Sequence, residues 1–140
     1  MFCLFSGLAF DLVSATDRPP ALSQNPSNAA CLSYEPSVVE LTGTVIRKTF
    51  ADATGRPETE WLLNLSRPIC VNEDSKNPDL NYAQKGVRAI QLTFLDQKMY
   101  ETNKDVLGKK VVVRGTLFAA MTAHHHTPVL LTVSTLKIAN

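Results

Sequence analysis

The stretch "VVELTGTVIRKTF", Val38 to Phe50, alternates apolar and polar residues and carries a glycine near its middle. Val39, Leu41, Gly43 and Val45 fall on one face, and Glu40, Thr42 and Thr44 on the other. A two-residue period over this length reads as a half-buried strand. The glycine narrows the choice further. Inside a strand it weakens the element unless the chain bends sharply there or another backbone comes close. The same signature returns later: "LTGTV" (Leu41–Val45) is echoed by "VRGTL" (Val113–Leu117). Two strands with matching glycine corners are expected to lie side by side where a small sheet coils and closes.

The remaining strands follow from the same period. "EWLLNLS" (Glu60–Ser66) puts Trp61, Leu63 and Leu65 on one face, and Pro68 is expected to end or bend it. Asn72 to Gly86 is polar without a period and reads as a long loop, of the kind that is often functional. "VRAIQLTFL" (Val87–Leu95) turns Ile90, Leu92 and Phe94 inward. Leu95, Met99 and Tyr100 then stand at roughly helical spacing, which predicts a short helix from near Asp96 to before Gly108. "KKVVVRGTLFA" is a fourth strand, with Val111, Val113, Gly115 and Leu117 on one face; "PVLLTVSTLKI" (Pro128–Ile138) is a fifth. Three strands, a helix and two strands is the element order of an OB-fold. The expected fold is mainly β: a small five-stranded OB-like barrel with one short helix between strands 3 and 4. An open sheet with one covering helix is the rival, and it leaves more exposed edges.

The N-terminal region organises differently. Met1 to Phe10, "MFCLFSGLAF", is too short to span a bilayer as a helix, but it has the length of a signal-peptide hydrophobic region. Val13-Ser14-Ala15 resembles a cleavage site, although no Lys or Arg precedes the apolar run. A buried first strand is the alternative. The expected organisation is a signal peptide at 1–15, a polar linker at 16–30 and an OB-like β-barrel domain at 31–140. Export would carry Cys31 and Cys70 into an oxidising compartment, so they are expected to pair. Two buried free thiols are the other possibility; no CxxC pair anchors a Cys-based metal site. The expected location is periplasmic or secreted, with no stable transmembrane anchor.

All three histidines stand in one block, "AMTAHHHTPV", between the last two strands. Neutral imidazole is a common ligand of zinc, copper and nickel. In an extended chain His124 and His126 point one way and His125 the other, so two rings can chelate together. No Asp, Glu or Cys follows or precedes closely enough to complete a site; Glu73 or Asp74 would have to come from afar. The other reading is a rigid polar turn, stiffened by Pro128, in which His124, His125, His126 and Thr127 form a contact surface. No resident cofactor is expected, apart from zinc, copper or nickel at His124 and His126.

Few other classes find support. The formal net charge is +1, which lacks the basic excess of a nucleic-acid binder. No GxSxG, HExxH or glycine-rich phosphate loop occurs. Glu58 and Glu60 are two apart and share a strand face, but surface carboxylates are usually only solvated. Trp61 is a candidate stacking platform on strand two, and its face, shared with Leu63 and Leu65, favours the core instead.

The segments "CLSYEPSVVELTGTVIRKTF", "WLLNLSRPICV" and "LGKKVVVRGTLFAAMTAHHHTPVLL" resemble a bacterial exported family described as a domain of unknown function. The resemblance spans roughly residues 31–138 and rests on the paired cysteines, the Gly-Thr strand signatures and the HHHTPV block. It implies a periplasmic or envelope domain, of a kind found beside a lysozyme-inhibitor-like module in some proteins. The expected function is therefore a non-enzymatic exported binding domain that recognises a protein in the bacterial envelope, for example by inhibiting a wall-active enzyme or toxin. Its surface would combine the His124–His126 loop, the Phe50–Thr59 loop and the Asn72–Gly86 loop. The alternatives are a metal-binding module using His124 and His126, and an oligosaccharide or single-stranded nucleic-acid binder.

Overall fold

The computed structural model describes residues 30–140. The expected signal peptide at 1–15 and all but the last residue of the expected linker at 16–30 lie outside the described residues. Five strands carry the fold: β1 (Val38–Ala51), β2 (Pro57–Val71), β3 (Gln84–Thr93), β4 (Lys110–Ala119) and β5 (Val129–Ile138). One short helix, α1 (Lys98–Thr102), and a 3-10 turn (Lys104–Val106) join β3 to β4. The pairing runs β1-β2-β3-β5-β4 and returns to β1, so the strands form a closed ring of hydrogen-bonded neighbours. All pairs are antiparallel except β3 with β5, which is parallel over Gln91–Thr93.

The alternation read from the sequence is the burial pattern. Val39, Leu41, Val45, Trp61, Leu63, Ile90, Leu92, Val111, Val113 and Leu117 are all buried and belong to one core. Trp61, Phe94 and Tyr100 meet edge to face at centroid distances of 4.5–5.6 Å, an arrangement aromatic quadrupoles favour. Trp61 is thus a core residue and offers no exposed stacking face. Elsewhere Tyr34 is buried, and its hydroxyl donates to the Tyr82 carbonyl at 2.8 Å.

Gly43 and Gly115 occupy the predicted corners. Gly43 pairs with Leu65 on β2 and Val111 on β4, and Gly115 with Val39 on β1 and Val133 on β5. A Cβ at Gly43 would overlap the Asn64 carbonyl, and one at Gly115 the Thr132 carbonyl. Close backbone approach is the reason both are glycine.

Of the two outcomes expected at Pro68, an end or a bend, the strand does not end: β2 runs on past Ser66 and Pro68 to Val71, and its pairing to β3 is irregular between Asn64 and Ile69. A proline is tolerated where the ladder is already irregular, because no hydrogen bond is asked of it. The helix is also shorter than Asp96–Gly108. Just before it, the Asp96 carboxylate accepts from the Lys98 N–H at 2.9 Å. Asn103 turns its side-chain amide onto the Met99 carbonyl at 2.8 Å, and the chain tightens into the 3-10 turn.

Cys31 and Cys70 are joined by a disulfide, as expected. It fastens the segment before β1 to the end of β2, where Leu32 and Asn72 exchange backbone bonds of 2.8 Å with their neighbours across the link.

One row of residues on the outer side of the ring departs from simple alternation. By register Ile46, Leu62, Gln91, Leu130 and Phe118 follow one another across β1, β2, β3, β5 and β4. Leu62 and Gln91 are each 4% exposed and Leu130 is 0% exposed, yet none belongs to the main core. Something covers them from outside.

Candidate functional site

The β4–β5 loop, which contains the histidine block, lies over this row at Gln91 and Phe118. Its neck is closed by a bond from the Ala120 N–H to the Pro128 carbonyl at 3.1 Å. Inside it, the His125 N–H reaches the Thr122 carbonyl at 3.1 Å and makes a turn. His125 folds back so that Nδ1 accepts from the N–H groups of Met121 (2.8 Å) and Thr122 (3.3 Å). Burial, then the neighbouring His124 and His126, push the His125 pKa down and favour the neutral ring this bonding requires. The ring also meets Phe118 edge to face at 5.5 Å, at one end of the covered row.

Gln91 fixes the other half of the loop. Its side-chain N–H donates to the His124 carbonyl at 2.9 Å, and its side-chain oxygen accepts from the His126 N–H at 2.7 Å. The Gln91 backbone N–H donates to the Thr127 hydroxyl at 2.9 Å, and that hydroxyl donates to the Val129 carbonyl at 2.7 Å. Thr127 thereby continues the β3–β5 pairing through a side chain just where Pro128 supplies no N–H. Gln91 is buried, so losing its amide would strand two loop backbone groups. Gln91→Leu keeps the apolar row filled and removes only the polar clamp. It should lower stability by about 1–3 kcal/mol in urea unfolding and speed amide exchange at His126.

The third attachment is a carboxylate. Glu58 lies at the start of β2, paired with Phe50. Its Oε1 meets His124 Nδ1 at 2.6 Å and its Oε2 meets His126 Nε2 at 2.9 Å. The His126 ring stacks flat on Phe50, with centroids 4.2 Å apart and planes 1° apart, and Lys48 sits 5.2 Å over the same phenyl ring. The hydrogen bond from His126, then the one from His124, hold the Glu58 carboxyl below the usual carboxylate range against an opposing desolvation. Two residues on, Glu60 behaves oppositely: burial first, then the charge on Glu58, push it up. Asp52, in the β1–β2 turn, is held down by bonds from Thr54 and Arg56.

His124 and His126 do turn to one partner and His125 away from it. The shared partner is Glu58, not Glu73 or Asp74. Asp74 is bound within its own loop, to the Lys76 N–H and the amides of Asn77 and Asn81. Among the described residues no three His, Cys, Asp or Glu side chains are arranged to hold a metal ion. Of the three stretches expected to form one surface, two meet: Phe50 and Glu58, the strand ends within Phe50–Thr59, touch the β4–β5 loop. The third, at 72–83, lies against Ser33–Ser37 instead, because the whole length of β2 separates Glu58 from Asn72. Gln91, Phe50 and Glu58 as a histidine partner were not singled out by sequence. The available signal was the pair of doubled leucines in "WLLNL" and "PVLLTV", which puts apolar side chains at outward positions.

A family described as a domain of unknown function (DUF4431) matches residues 89–137. That stretch runs from within β3 to near the end of β5 and includes Gln91 and the histidine block, but not Glu58. It agrees with the resemblance to a domain-of-unknown-function family. No curated protein matches the chain. Among the described residues no helix is long and apolar enough to cross a membrane.

Proposed function

We propose that this chain is a non-enzymatic, exported binding domain with an OB-like barrel, and that it recognises a protein partner in the bacterial envelope through its β4–β5 loop and β1–β2 turn. The ring order, the parallel β3–β5 pair and the helix between β3 and β4 support the OB-like reading. So does the tilt: the outer row that starts at Ile46 returns toward β1 beyond Val38, the stagger of a small closed barrel. In that fold the β1–β2 and β4–β5 loops frame the ligand face. The disulfide fits an oxidising compartment.

One observation carries the reading. The β4–β5 loop is held from below by Gln91, Thr127 and Glu58, while its rim stays open to solvent: Met121 is 63% exposed and the His124 side chain 65% exposed. A loop fixed before binding loses little conformational entropy on binding, which suits recognition of a protein surface. A nucleic-acid partner is disfavoured by the small net charge and by the burial of Trp61. A wall-active enzyme or a toxin that the domain neutralises is the partner class in view.

The test is a photo-crosslinking residue at Met121, with a control at Asn77 on the far loop, in bacterial envelope extract. Position 121 should give one discrete adduct that unlabelled protein competes away, and position 77 should not. Absence of a competed adduct at 121, or the same adduct at both positions, would sink the proposal.

A further inference from the structure

The clasp at Glu58 sets the chemistry that the loop offers. We infer that Glu58 fixes His124 as a hydrogen-bond acceptor, with its Nε2 lone pair presented at the loop rim, so that the β4–β5 loop recognises a donor group (a hydroxyl, an amide N–H or an ammonium) on its partner. The inference rests on the binding reading above and specifies the contact it makes.

Proton placement decides what His124 presents. An ionised carboxylate only accepts hydrogen bonds. Glu58 is kept ionised by its histidine contacts. At 2.6 Å from Oε1, Nδ1 of a neutral His124 must therefore carry the ring proton. The other nitrogen, Nε2, is then bare. Among the described residues nothing bonds it, and the side chain is 65% exposed. The other two rings take the opposite form. His126 gives Nε2–H to Oε2 and is shut in, with its side chain 11% exposed and stacked on Phe50. His125 accepts at Nδ1, which leaves its proton on Nε2. Three adjacent histidines thus differ in role: His125 holds the turn, His126 anchors the loop, and His124 alone is presented. This is the arrangement by which a carboxylate behind an imidazole fixes its tautomer and orientation.

The test reads the rings directly. Long-range proton–nitrogen spectra of the full disulfide-bonded chain, at a pH that leaves the imidazoles neutral, should show His124 protonated at Nδ1 and both His125 and His126 at Nε2. Glu58→Ala should return His124 to the Nε2–H form that a free imidazole favours. His124 found as Nε2–H in the wild type, or unchanged by Glu58→Ala, overturns the assignment. The Met121 crosslink then tests recognition: His124→Ala and Glu58→Ala should each lower adduct yield roughly fivefold, the loss of about one hydrogen bond. An adduct unaffected by either change overturns donor recognition and leaves the binding reading standing. No wild-type adduct at all removes the binding reading and the recognition built on it, while the ring spectra still decide the clasp.

Discussion

Gly115→Ala should unfold this domain or weaken it by more than about 4 kcal/mol, and Gly43→Ala should do nearly the same. One methyl group is added in each case. The Cβ at 115 would overlap the backbone oxygen of Thr132, and the Cβ at 43 that of Asn64. A flexible side chain can rotate out of such a clash, but a carbonyl oxygen within a paired strand cannot. Relief requires β4 to part from β5, or β1 from β2, at a point where each strand is bonded on both sides. Ordinary overpacking costs about 1–3 kcal/mol because side chains share the strain. Here the backbone must move, and the ring has no free edge through which to move it. Gly55→Ala provides the contrast. That residue sits in the open β1–β2 turn with a φ of 82° and nothing near its missing Cβ. It should cost only about 1–2 kcal/mol, the left-handed backbone penalty alone. Urea unfolding of the three variants checks the order. A Gly115→Ala variant within 1 kcal/mol of Gly55→Ala would show that the strands do not approach as closely as described.

These glycines also show which parts of the structure could be read from sequence. "LTGTV" and "VRGTL" announced both a strand period and a break in it, and the physical cause, close backbone approach, acts locally enough to leave that trace. The inward faces were legible for the same reason, since Val39 to Val45 and Val111 to Leu117 alternate as a two-residue pleat demands. The reach of β2 through Pro68 was not legible. A proline forbids a regular ladder bond but says nothing about a neighbour whose register has already slipped. The site was legible only in part. The histidine block drew attention by its composition, and the split of its rings, expected from an extended chain, is made instead around the turn that His125 closes on Thr122. Its partner Glu58 lies 66 and 68 residues away. That contact exists because the β4–β5 loop crosses over β3 to the start of β2, a tertiary event that no local pattern encodes. Leu62 and Leu130 were its only shadow. Each breaks the alternation of its strand, and each is buried by a cover that the strand itself cannot supply.

Removing the Cys31–Cys70 bond by replacing both cysteines with serine should cost about 4 kcal/mol, the second large effect expected here. The bond joins residues 39 apart in sequence. On the chain-entropy account, releasing a loop of that length from the unfolded state costs the fold about 4 kcal/mol. For a small domain, whose total stability is often about 5–15 kcal/mol, that is a large share. The folded state loses less. The segment from Leu32 to Glu35 keeps its own attachments: the Leu32 N–H on the Cys70 carbonyl, the Asn72 N–H on the Leu32 carbonyl, the Glu35 N–H on the Leu117 carbonyl, and the buried Tyr34 with its bond to Tyr82. Origin of the loss can therefore be separated from its size. If the unfolded state is the main site of action, the urea midpoint should fall and the denaturant slope should rise, because the freed chain exposes more surface. If local packing is the site of action, the slope should stay unchanged and amides from Leu32 to Ser37 should exchange faster in the native protein. A loss below 1 kcal/mol with no change in slope would mean that Tyr34 and its neighbours hold the segment unaided. The same experiment bears on where the chain can work. A domain that depends on this bond for a large share of its stability is matched to a compartment that keeps thiols oxidised, and made without the bond it should populate its unfolded state far more often.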